Sequence, residues 1–281
     1  MAEEQTSTIT EWHPPYVQAM EGTLVKYKDD LIITAESQLT MAPMKIDLVI
    51  VKKNPGVLID NDIARIYKGV NICEYKSPSD GLTVYDYHKT IAYCHLYTVK
   101  ERADFFDFTM SLVGSNHPRG LIKYLKEGCG YKVEEKYAGV YFVEGAALPI
   151  QIIETKRLSI ETNPLLRGLN KDLTPGDLAK SLNCCNSISK EIDLGAYFKA
   201  VTEANAEALK GAANMFTLTP EWRSKLEETG WPKEWAETAR EKARYDAAIE
   251  AIKDGVKKAS TIAKIGDFSE ERANELLRQY A

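Results

Sequence analysis

Three residues stand out by type and spacing: Asp47, Glu74 and Lys76. Asp47 is a lone carboxylate in the apolar, β-branched run IDLVIV, where a charge is costly unless it is paired or holds a metal. Glu74 and Lys76 repeat the oddity in NICEYK. Two carboxylates on adjacent strands can converge on a hard divalent cation such as Mg²⁺ or Mn²⁺. A lysine two residues from one of them projects from the same face, where it can orient or deprotonate a water or neutralise a phosphate. The cation acts as a Lewis acid and lowers the pKa of its water. Such a set would hydrolyse a phosphodiester.

The elements that must position these groups follow from periodicity. Lys45–Val51 and Val70–Lys76 alternate as strands, with Asp47, Val49 and Val51 on one face of the first and Ile72, Glu74 and Lys76 sharing a face of the second. Residues 12–30 predict a helix, opened by Pro14 and Pro15 and carrying Glu21 near its apolar stripe. Leu31–Leu39 predicts a strand in a hairpin with the Asp47 strand, which brings Glu36 forward as a further acidic metal ligand. Ile59–Lys68 predicts a short helix, and Ser77–Gly81 is a dense turn. Val84–Val99 predicts a helix with Tyr85, Lys89 and Tyr93 on one face. A strand over Ala103–Val113 and a helix over Asn116–Glu127 follow, the latter placing Arg119 as a phosphate contact. Strands are expected near Tyr131–Glu135, Gly139–Val143 and Pro149–Ile153.

Asp47, Glu74 and Lys76, with the words IDLVIVKK and ICEYKSPSD, resemble the signature of the PD-(D/E)XK nuclease superfamily, in a bacterial branch related to transposase-associated, recombination-promoting nucleases. The resemblance spans residues 12–155, with Ile46 where the superfamily name puts proline. It implies an α/β restriction-endonuclease-like fold, a mixed sheet flanked by helices. It also implies an Mg²⁺- or Mn²⁺-dependent nuclease with Asp47, Glu74 and Lys76 catalytic, nucleic acid (DNA first) as substrate, and a link to mobile elements. Members of the superfamily often carry an acidic residue on the first helix, which makes Glu21 a candidate ligand. Related exonucleases place a polar residue and a tyrosine four apart after the ExK strand, and Lys89 and Tyr93 resemble that pair.

The chain has 281 residues with a net charge of −5. Residues 1–160 hold 18 basic and 21 acidic residues, and 161–281 hold 18 and 20, so neither part has the basic excess of a strong non-specific DNA binder. No apolar run reaches the roughly 18 residues that span a membrane. The start has neither the basic end nor the apolar core of a signal peptide. Five cysteines without a CxxC pair argue against zinc and against a disulfide framework, and fit a cytoplasmic protein. His88 and His95 are seven apart without further ligands nearby. P-loop, GxGxxG and GxSxG motifs are absent.

The texture changes near residue 160, giving an expected nuclease-like domain over 1–160 and a helical region over 161–281. In the latter, Thr174 caps a helix before Pro175, Glu191–Leu209 predicts a longer one, and Ser269–Tyr280 a terminal one. Trp222, Trp231 and Trp235 point to an interface with the core, a second copy or a protein partner. The alternative to an enzyme is therefore a non-catalytic scaffold of the same fold that binds a partner through this tail.

Overall fold

The computed structural model describes residues 12–38, 45–54, 56–212, 215–216 and 244–280. The chain divides into two compact units, Met1–Ala206 and Glu207–Ala281. The expected boundary near 160 falls inside the first unit, because the helices that follow it pack on the first helix.

The first unit is a mixed α/β fold on one seven-stranded sheet. It opens with α1 (His13–Thr23), which has prolines in its first turn as expected but gives way to a 3₁₀ turn at Val25–Tyr27 rather than running to residue 30. Strands β1 (Leu31–Gln38), β2 (Lys45–Lys52) and β3 (Val70–Tyr75) form an antiparallel meander. Helix α2 (Val84–Glu101) crosses over to β4 (Phe108–Gly114), parallel to β3. After α3 (Arg119–Lys123) come β5 (Lys132–Tyr137), β6 (Val140–Glu144) and β7 (Ile150–Glu154). The sheet order is β1-β2-β3-β4-β7-β6-β5, with β7 parallel to β4.

The two faces differ in chemistry. On the α2 face, Ile72, Met110, Leu112, Ile150 and Ile152 meet Tyr87, Tyr93 and Cys94 in one apolar core. On the opposite face, Tyr16 of α1 stacks on Tyr75 with ring centroids 4.3 Å apart. Beneath it lie buried Asn71, Cys73, Ser111 and Gln151, with Gln151 donating to the Ser111 hydroxyl at 2.8 Å. Burial pushes the Cys73 thiol up to about 11, so this cysteine is an inert packing group.

Three expected elements differ. Ile59–Lys68 is a set of turns, because the Asn61 carboxamide oxygen captures the Ile63 and Ala64 N–H groups before a helix can propagate. The strand expected from Ala103 begins at Phe108, after a 3₁₀ turn whose Asp104 carboxylate caps Phe106 N–H. The helix expected over Glu191–Leu209 is two, α6 (Gly195–Ala204) and α7 (Ala206–Ala212). Asn205 breaks it by bonding Leu173 N–H and the carbonyls of Asn170 and Val201. With α4 (Pro164–Gly168) and α5 (Pro175–Ile188), capped by Thr174, α6 covers α1.

In the second unit, beyond α7, the described helices 244–253, Ala259–Gly266 and Glu270–Tyr280 share a small apolar core. The three tail tryptophans lie outside the described residues. No described helix is long and apolar enough to cross a membrane.

Candidate active site

The β2–β3 ladder ends at the pair Leu48 and Cys73. One step further the register sets Asp47 across from Glu74, on the α2 face, where opposed Cβ atoms lie about 5 Å apart. Asp47 Oδ2 accepts the Tyr75 N–H at 2.8 Å, so its carboxylate replaces a ladder carbonyl and is fixed by the backbone of the ExK strand. The strand parities expected from sequence thus place both carboxylates on one side.

Glu74 is 2 % exposed. Burial and then the Asp47 charge push its carboxyl above the usual range, against the pull of Lys89 and Lys76. Its Oε1 takes both ammonium groups, Lys89 directly and Lys76 at 3.4 Å. Its Oε2 is buried with no hydrogen-bond partner among the described residues. A bare carboxylate oxygen at depth is costly unless something neutralises it.

Lys76 also reaches Asp86 Oδ1 at 2.8 Å. Burial pulls this ammonium down, but the Asp86 bond and the Glu74 and Asp86 charges outweigh it and hold it above an ordinary lysine. Lys76 is therefore a cation near neutral pH. It can position a water or neutralise a phosphate. Asp86 was missed by sequence reasoning. Burial would raise its carboxyl, but Lys76 and the Thr83 hydroxyl and N–H hold it below its usual range. The signal was available: Thr83 and Asp86 form a capping box, with Thr83 N–H donating to Asp86 at 2.8 Å. The cap anchors α2, and α2 in turn delivers Lys89.

Lys89 and Tyr93 both belong to the site. The Lys89 ammonium sits 5.7 Å from the Tyr93 ring centre, and Tyr93 is buried. Burial pushes the Tyr93 hydroxyl up, opposed by Lys89 and reinforced by Glu74 and Asp47.

The other acidic candidates are placed differently. Glu36 lies across from Asp47 on β1, but its backbone turns left-handed (φ 47°) and its carboxylate is half exposed. It pairs with Lys45 at 2.9 Å, whose hydrogen bond holds it below the usual range, and with His13 at 3.4 Å. His13 also donates to the Asp47 carbonyl at 3.2 Å. Glu21 is half-buried on α1, with its carboxyl pushed up by burial alone, and no contact joins it to Asp47 or Glu74. Arg119 is exposed at the start of α3. His88 meets the Tyr124 hydroxyl at 3.0 Å and His95 stacks on Phe105, so the two do not converge.

A further set unseen in the sequence lies on the same sheet face. The row after Glu74 runs Lys76, Gly114, Glu154 across β3, β4 and β7. Buried Glu154 accepts from His117 Nδ1 at 2.9 Å and from the Tyr141 hydroxyl at 3.1 Å. Arg157 donates to Tyr141 at 2.9 Å and pairs with Glu135 at 3.0 Å. Burial and then the Glu154 charge push the Tyr141 hydroxyl up to about 12. Leu82 covers the intervening Gly114, where a Cβ would lie 3.1 Å from it.

Among the described residues no group of three or more His, Cys, Asp and Glu side chains is placed to hold a metal. Asp47 and the bare Glu74 Oε2 still fit Mg²⁺, which commonly takes one or two carboxylates and completes its shell with water and substrate phosphate. Comparison with protein-family models, with curated proteins and with solved structures finds no match to this chain.

A proton and the cation compete for the Glu74 carboxylate, and the raised carboxyl favours the proton. Mg²⁺ affinity measured by calorimetry is therefore expected to fall as pH drops through the raised Glu74 value, and Glu74→Gln should remove both the affinity and its pH dependence. The stability effect has the opposite sign. The folded chain binds this proton more tightly than the unfolded one. The metal-free protein therefore loses stability as pH rises from the ordinary glutamate range through the raised Glu74 value, and Mg²⁺ restores it.

Proposed function

We propose that the chain is an Mg²⁺-dependent nuclease of the PD-(D/E)XK type, hydrolysing phosphodiester bonds of nucleic acid, with DNA as the first substrate to test. The observation that carries it is the buried Glu74 Oε2, without a hydrogen-bond partner among the described residues, on a side chain that the β2–β3 register sets across from Asp47. The mixed seven-stranded sheet flanked by helices supports it, since the resemblance implies a sheet of that kind. Asp47 and Glu74 hold the cation, and Tyr75 N–H fixes Asp47 for that task. When bound, the cation would polarise a phosphoryl oxygen and lower the pKa of its water. Lys76, cationic and steadied by Asp86, neutralises charge developing on the phosphate. Lys89, paired with Glu74, offsets its buried charge and can yield to the cation. Cleavage of single- and double-stranded DNA and RNA with Mg²⁺ or Mn²⁺, and its loss in EDTA, tests the proposal. Absence of cleavage on all of them, with no heat of cation binding, refutes it.

A second reading is a scaffold of the same fold. It is favoured by the charge balance at the site, where two lysines answer Glu74 and Asp86 without any cation. Calorimetry separates the two: the scaffold takes up no Mg²⁺, whereas the nuclease binds it and loses that binding in Asp47→Ala.

A further inference from the structure

Helix Ala259–Gly266 is followed by three residues and then by helix Glu270–Tyr280. Asp267 ends the first helix in the left-handed region (φ 54°, ψ 45°), and the Phe268 N–H returns to the Ala263 carbonyl at 3.0 Å. Ser269 starts the second, its hydroxyl accepting Arg272 N–H at 3.2 Å. Buried small residues, Ala263, Gly266 and Ala273, let the two helices approach closely, and a Cβ on Gly266 would overlap the Phe268 ring. Ile262 and Leu276 close the hairpin core, and Ala248 and Ile252 of helix 244–253 complete it. Two helices joined by a three-residue turn, backed by a third helix, are the arrangement with which many proteins present a helix to the DNA major groove.

The exposed chemistry fits that partner. The outer face of Glu270–Tyr280 is polar, with Glu271, Asn274, Arg278 and Gln279 exposed and no large apolar anchor of the kind a protein interface needs. Arginine reads guanine, asparagine and glutamine read adenine, and glutamate accepts from cytosine, all on major-groove edges. Lys257 and Lys258, exposed and without an ion pair among the described residues, stand at the start of the first helix, the element that crosses the phosphate backbone in such docking. Residues 244–280 hold seven basic and seven acidic side chains. Two of the acids are answered internally, Asp267 by Arg244 at 2.5 Å and Glu275 by Arg272 at 2.6 Å. A neutral unit of this kind binds random DNA weakly, so base contacts must supply its affinity.

We infer that residues 244–280 are a sequence-reading duplex-DNA-binding unit, with Lys257 and Lys258 on phosphate and Asn274 and Arg278 on base edges. It does not depend on the nuclease reading, and its test is run without a divalent cation so that the two fail separately. The full-length protein in EDTA is taken through selection from duplexes of about 30 base pairs with randomised centres, and binding is followed by fluorescence anisotropy. A recovered motif is expected. Lys257→Glu with Lys258→Glu should weaken binding about tenfold or more and flatten the salt slope by about two. Arg278→Ala should weaken the recovered motif about tenfold and random duplex little. All these side chains are exposed, and unchanged circular dichroism confirms the fold. No enriched sequence, binding that both variants leave intact, or self-association altered by Arg278→Ala while DNA affinity is not, overturns the inference. The last outcome would assign the face to a second copy of the chain.

Discussion

Asp47→Ala is expected to slow Mg²⁺-supported cleavage about a thousandfold. On the proposed reading Asp47 does two jobs: it supplies a cation ligand, and it ties the start of β2 to the Tyr75 N–H. Loss of the cation's share of transition-state stabilisation, roughly 4 kcal/mol, corresponds to that factor at about 1.4 kcal/mol per tenfold. Single-turnover rates across Mg²⁺ concentrations resolve the roles. Asp47→Ala should weaken cation affinity and rate together. Lys76→Ala should lower the rate by a similar factor with affinity unchanged or improved, since an ammonium repels the cation. Exposed Lys53, at the far end of β2, is the control, and Lys53→Ala should leave the rate within about twofold. A rate that survives in the Asp47→Ala, Glu74→Ala double variant would place the chemistry elsewhere.

Gly168→Ala is expected to lower the stability of the first unit by roughly 3 kcal/mol, although Gly168 is far from the site in sequence. A Cβ there would overlap the fully buried Tyr197 hydroxyl and sit 2.8 Å from Ser181 Oγ. The Tyr197 hydroxyl donates to the Leu165 carbonyl at 2.9 Å on a fully buried side chain. The substitution therefore adds overpacking to the loss of a buried hydrogen bond. For a unit of this size the melting temperature should drop by about 6–12 °C. Tyr197→Phe removes the clashing oxygen, so the two substitutions together should cost less than their sum. Strict additivity in thermal unfolding would argue against the clash.

The site was legible in the sequence to the extent that it rests on strand parity. Asp47, Glu74 and Lys76 are forced to one face by the period of two, and Lys89 and Tyr93 by their spacing of four on α2. What was not legible depends on contacts between distant segments. Asp86 looks like a surface residue of a first helical turn until β3 brings Lys76 beside it. His117, Tyr141 and Glu154 come from three separate elements and meet only through sheet order. Glu36 was expected on the strand that pairs with the Asp47 strand, but no local pattern announces the left-handed backbone that turns it toward Lys45 and His13. Asn205 reads as an ordinary helix residue, and it breaks the helix only because Asn170 and Leu173 compete for its carboxamide. The C-terminal hairpin was hidden within a charged run, although Ala263, Gly266, Ser269 and Ala273 carry its turn in plain spacing.

The left-handed residue in β1 has a consequence beyond the site. The sheet is open, with β1 and β5 as its edges among the described residues. An open edge is a template for another chain, and a straight β1 with exposed Ile32 would be an inviting one. Glu36 interrupts the regular pairing of β1 with β2 and sets a charge on the rim. At the other edge Lys132, Glu134 and Lys136 crowd charged side chains along β5. Both margins thus resist strand addition, and the fold guards itself against edge-to-edge polymerisation without closing into a barrel.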